Sequence, residues 1–65
     1  MNQPLLKTPT KNEPYVSFNS NGILIMSGII NITNRDAFHA PIIEWIKGYI
    51  HTPAKKTVFI FYPIL

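Results

Sequence analysis

The stretch Thr57-Val58-Phe59-Ile60-Phe61-Tyr62, followed by Pro63-Ile64-Leu65, is the most apolar part of the chain and carries no charge. A terminus is ordinarily polar and frayed, because its backbone needs water and its side chains have few neighbours. TVFIFY instead has the composition of a central strand, covered on both faces as inside a parallel sheet. What precedes it gives it a partner. Phe38, Ile42, Trp45, Ile46 and Tyr49 recur at helical spacing, flanked by Ile43 and Ile50, with Ala40, Glu44, Lys47, Gly48 and His51 opposite. Before that helix, Ile23-Leu24-Ile25-Met26-Ser27-Gly28 is a short run of strand formers, apolar on both faces. Strand, helix, strand at these lengths is a βαβ crossover. Residues 23–28 and 57–62 are therefore expected to be parallel, with a right-handed connection.

The helix is expected over residues 34–51. Thr33 and Asn34 are N-cap candidates, and Asp36 falls near the positive helix end. Pro53 disfavours helical backbone at Thr52, which places the stop near His51. Pro41 lies inside the pattern, where proline costs about 3 kcal/mol, so a continuous but kinked helix is expected.

Tyr15-Val16-Ser17-Phe18 alternates with the period of a half-buried strand. Asn19-Ser20-Asn21-Gly22 then supplies residues that tolerate positive φ. Strands at 15–19 and 23–28 around this turn make a β-hairpin. Ile29-Ile30-Asn31-Ile32 reads equally as a continuation past a bulge at Gly28 or as a connector. Residues 1–14 hold Pro4, Pro9 and Pro14 among polar residues and read as an extended, solvated N-terminal arm. The expected class is α/β (α+β), a hairpin followed by a βαβ crossover with one main helix.

Sixty-five residues make one small domain, burying only about 60% of the extended surface. A core of that size contributes roughly 3–5 kcal/mol of net stability. Cysteine is absent, so disulfides and thiolate metal sites are excluded, which leaves association or a missing remainder of the domain as the stabilising device. MNQPLLKTPTK has no apolar core of a secretory signal. The apolar runs fall far short of the ~20 residues that span a bilayer. A cytoplasmic protein without a membrane partner is expected. The net charge is +3, yet Lys7, Lys11, Arg35, Lys47, Lys55 and Lys56 are scattered along the chain. Phosphate binding needs several cations on one face, so a nucleic-acid partner is not expected. A small basic nucleic-acid-binding module remains the alternative, with a membrane-active peptide built on TVFIFYPIL behind it.

No catalytic constellation is visible. Ser17, Ser20 and Ser27 stand in no recognisable relation to His39 or His51, which read as surface histidines of the helix. Glu13, Asp36 and Glu44 are not paired for acid–base work. Gly22, Gly28 and Gly48 are isolated, which excludes a phosphate loop. No catalytic, cofactor-binding or metal residue is assigned, no cofactor is expected, and the chain is not expected to be an enzyme. Residues that bind a partner are not identifiable at this stage.

Several stretches together resemble the SiaC family of bacterial regulatory phosphoproteins. That family runs as TPxVxFD…GxLEIxGxSxPEN, then a helix with FxxPxxxWLxxYL, then a strand like PAEKTVFNF. Here Gly22-Ile23-Leu24-Ile25 and Ser27-Gly28 match the second strand, and Phe38, Pro41, Trp45 and Tyr49 fall in register with the helix. Pro53-Ala54-Lys55-Lys56-Thr57-Val58-Phe59, with Phe61, matches the third strand. The resemblance covers roughly residues 9–61 and lies in the combination, each piece being weak alone. It implies a fold like that of the anti-sigma-factor antagonists (STAS, SpoIIAA-like). It implies a phosphorylation-controlled adaptor that activates a diguanylate cyclase and promotes biofilm formation, with a kinase and a phosphatase as further partners.

The departures are specific. Ile32-Thr33-Asn34 stands where the family has Pro-Glu-Asn, and acidic residues of the second strand and helix are reduced. The family continues past the third strand with a segment like KLEYFNTSSSK that carries the phosphoacceptor threonine, and this sequence reads Tyr62-Pro63-Ile64-Leu65. The phosphoacceptor would lie beyond Leu65. The expectation is a partial SiaC-like domain over residues 15–65, shortened by a frameshift, a premature stop or a gene boundary, with its activity left open. Its uncovered sheet could then drive self-association.

Overall fold

In the computed structural model, residues 3–64 are described. They form four strands and a helix in the order β1 (Leu5–Lys7), β2 (Tyr15–Phe18), β3 (Ile23–Ile29), α1 (Arg35–Tyr49) and β4 (Val58–Ile64). The sheet runs β1-β2-β3-β4. β1 and β3 flank β2 antiparallel, and β4 joins β3 in parallel. This is the expected hairpin and crossover, a mixed sheet with one helix in an α+β fold. Its Cα extents of 33 × 21 × 14 Å fit a slab of two layers only, since packed layers stand about 10 Å apart.

The hairpin turn works as its residues suggest. Gly22 adopts φ +100° and donates to the Asn19 carbonyl at 3.0 Å, while Asn21 Oδ1 accepts from the Ile23 N–H at 3.1 Å. β3 runs through Gly28, at φ +114°, to Ile29, so the undecided segment divides: Ile29 belongs to the strand and residues 30–32 connect. The helix starts at Arg35, with Asn34 as N-cap accepting from the Ala37 N–H. It continues through Pro41 to Tyr49, ending two residues before His51. Pro41 removes the N–H that would have bonded the Ala37 carbonyl, at a point of the helix where Ala37 is exposed.

Val16, Phe18, Phe38, Ile42, Trp45 and Tyr49 form the buried cluster, with Leu5, Leu24 and Met26 packed against it. Trp45 stacks on Tyr49 with centroids 5.0 Å apart and tilts against Phe18 at 5.5 Å. Ile46, expected in the buried stripe, is instead 40% exposed, because one helix rests on the sheet with a narrower face than its apolar residues span.

Two further expectations are corrected. The arm over residues 1–14 is not wholly solvated. Leu5–Lys7 pairs with β2 and puts Leu5 against the core, and a turn whose N–H groups of Asn12 and Glu13 donate to Thr10 Oγ1 leads the chain back into β2. A three-residue strand is too short for alternation to reveal it. The second correction concerns TVFIFY. Among the described residues β4 pairs only with β3 and lies at the sheet margin, not in its interior. Its composition reports what would cover its faces, and composition cannot say whether the described residues include that cover.

Candidate docking surface

β4 is tied to the rest of the fold on one side only. Its first residue, Val58, donates to the Gly22 carbonyl at 2.7 Å. In a parallel ladder each residue turns both backbone groups to the same side and alternates with the next. Val58, Ile60, Tyr62 and Ile64 therefore address β3, while Phe59, Phe61 and Pro63 turn theirs outward. Pro63 sits where a missing donor costs nothing, which is how an edge strand accommodates proline.

The side chains alternate likewise. Phe59 meets Phe18 edge-on at 6.4 Å and stacks with Phe61 at 6.0 Å, so both lie on the helix side of the sheet. They remain 55% and 48% exposed, because α1 covers the other half of the sheet. Trp45 Nε1 donates to the Gln3 carbonyl at 2.7 Å, and Lys7 Nζ lies 5.4 Å from the Phe38 ring centroid. Both contacts draw the helix over β1 and β2. At 100° per residue, Ile46 and Ile50 fall on the opposite flank, toward β4, and both are exposed. Phe59 and Phe61 on β4 and Ile46 and Ile50 on the flank of the helix are thus exposed apolar side chains, together called the apolar shelf.

The loop beneath is braced. Tyr49 Oη lies 2.7 Å from Thr57 Oγ1 and accepts from the Ala54 N–H at 3.1 Å. Gly22 is buried against this loop, and a Cβ there would collide with the Lys56 carbonyl oxygen.

The titratable residues do not converge. His39 is exposed, its ring 5.7 Å from that of Phe38, at an open depression of about 360 Å³ shared with Ile30, Asn31, Ile32 and Arg35. His51 follows the helix end and donates its N–H to the Gly48 carbonyl at 3.3 Å. Glu44 and Lys47 form an exposed i,i+3 pair at 3.8 Å. No three His, Asp or Glu side chains gather among the described residues, and no helix there is long and apolar enough to cross a membrane. The shelf was not identified from sequence. Its signal was present in an apolar helix stripe that widens through Ile46 to the flanking Ile50, beside an uncharged final strand.

A mixed four-stranded sheet with one helix defines a small α+β protein. The profile of the SiaC family regulatory phosphoproteins matches residues 7–62, most of the chain, and the chain belongs to that family. Comparison with curated proteins and with solved structures gives no match.

Proposed function

We propose that the chain is a non-enzymatic adaptor of the SiaC type, a cytoplasmic partner-switching protein that signals to a diguanylate cyclase in the control of biofilm formation. A kinase and a phosphatase are its other partners. The SiaC-like sheet and helix run from Leu5 to Ile64, and no residue of this sequence is assigned as a phosphoacceptor. The observation that carries the reading is the family match over residues 7–62. The shelf of Ile46, Ile50, Phe59 and Phe61 supports a role in contact. It is the surface through which a covering layer or a partner docks, because four large apolar side chains there face solvent and contiguous exposed apolar patches mark interaction sites.

Self-association through the uncovered sheet belongs to the same reading. The test is calorimetric titration of the chain into diguanylate cyclases from the same genome, with cyclic dinucleotide production followed in parallel. Binding that is lost in Phe61→Ser and Ile50→Ser supports the proposal. No binding to any cyclase, kinase or phosphatase tested overturns it.

A further inference from the structure

The open depression of about 360 Å³ beside the start of α1 is lined by Ile30, Asn31, Ile32, Arg35 and His39. The first three belong to the connection that leaves β3 after Ile29, and the other two to the first turns of the helix. The Asn31 N–H donates to the Asn12 carbonyl at 2.8 Å, which fixes this connection against the loop before β2. The depression therefore lies at the carboxyl ends of the two parallel strands, which finish together because Ile29 pairs with Ile64. Ligands of sheets with parallel strands bind outside those ends.

Three features of the lining decide the chemistry of an occupant. The first is charge. Arg35 and His39 stand one turn apart on one helix face, and no acid lines the depression. The Lys7 ammonium and the His39 ring approach the same Phe38 ring, at 5.4 and 5.7 Å from its centroid. The acids of this end are Glu13 and Asp36, yet among the described residues the one ion pair is Glu44 with Lys47. The second is placement. Arg35 is the first residue of α1, where the helix dipole disfavours a cation. A residue set against a local rule with no compensating contact points to function. The third is the set of donors. The guanidinium is a planar fork matched to two phosphate oxygens, and the His39 ring and Asn31 amide add further donors. The N–H groups of Ala37 and Phe38 are already bonded to Asn34, so the side chains and not the helix end make the site. A phosphate carries nearly two negative charges and answers several cations at once, which a carboxylate does not. Ile30 and Ile32 offer apolar contact to the carbon that bears the ester.

We propose that this depression binds a phosphate monoester, with Arg35 and His39 as its principal anion ligands. It shares no residue with the shelf and does not depend on the adaptor reading.

Amide chemical shifts of the full chain test it, followed during titration with inorganic phosphate and with an acetylated alanine-phosphothreonine-alanine peptide. The unphosphorylated peptide is the blank. Shifts centred on residues 30–39 are expected, with the phosphopeptide binding more tightly than the inorganic ion. Arg35→Gln should weaken binding about tenfold or more, and His39→Ala severalfold. Both side chains are exposed, so the native circular dichroism should persist. Lys55→Gln removes the same charge at the opposite end of the sheet and should change nothing. Phe61→Ser should keep phosphate binding while losing the cyclase, which separates a failure here from a failure of the adaptor reading. Inorganic phosphate binding as tightly as the phosphopeptide keeps the anion site and makes the free ion its ligand. No shift with either phosphate probe at millimolar concentration, equal shifts with the unphosphorylated peptide, or equal weakening by Lys55→Gln overturns the proposal.

Discussion

Gly22→Ala adds one methyl group where the backbone leaves no room for it. Gly22 holds φ +100°, where an L side chain costs roughly 1–2 kcal/mol. It is also buried against the loop before β4, so an added methyl must displace the Lys56 backbone. That displacement pulls on the Val58 N–H bond to the Gly22 carbonyl, a further ~1 kcal/mol. The sum of about 2–3 kcal/mol compares with a net stability of roughly 3–5 kcal/mol for a core of this size. Melting should fall by roughly 10–20 °C on the usual scaling for small domains. Urea titration followed by Trp45 fluorescence and by far-ultraviolet circular dichroism measures it, at fixed protein concentration because association adds to stability. The midpoint should drop by half or more with both probes moving together. An unchanged midpoint would refute the docking of the hairpin turn on the 50–57 loop.

Gly48→Ala should act in the opposite sense, raising stability by about 0.5–1 kcal/mol, because Gly48 lies within α1 and glycine is a poor helix former; the same titration reads it. Tyr49→Phe removes the hydroxyl that joins Thr57 and Ala54 and should cost about 1–2 kcal/mol, with faster amide exchange at Ala54. Asn34→Ala removes the cap on the Ala37 N–H and should cost about 1 kcal/mol, visible as lower helicity and an earlier melt.

The hairpin, the helix and the parallel strand were legible because each rests on a local rule. Val16 and Phe18 alternate, Gly22 permits the turn, and Phe38, Ile42, Trp45 and Tyr49 repeat at the helical period. What escaped the sequence depends on relations between elements. Leu5–Lys7 becomes a strand only because the turn at Thr10–Glu13 lays it along β2, and no period can show in three residues. Ile46 is apolar and in register with the stripe, yet it stays 40% exposed because the face of α1 that rests on the sheet is only as wide as Phe38, Ile42, Trp45 and Tyr49. The strand at 58–64 was recognisable as one that would be covered on both faces. Its place in the sheet was not, since sheet order is settled by pairing. The shelf was hidden for the same reason, being formed by residues on two elements.

Amide hydrogen exchange across Val58–Ile64 tests the account's core most directly, namely that this strand is held along one side and open along the other. Protection should alternate: Val58, Ile60, Tyr62 and Ile64 slow, Phe59 and Phe61 fast. Adding a cyclase partner should then slow the fast pair. Uniform protection in the isolated chain would mean that another strand already occupies that side, and uniform fast exchange would mean that β4 is not in the sheet at all.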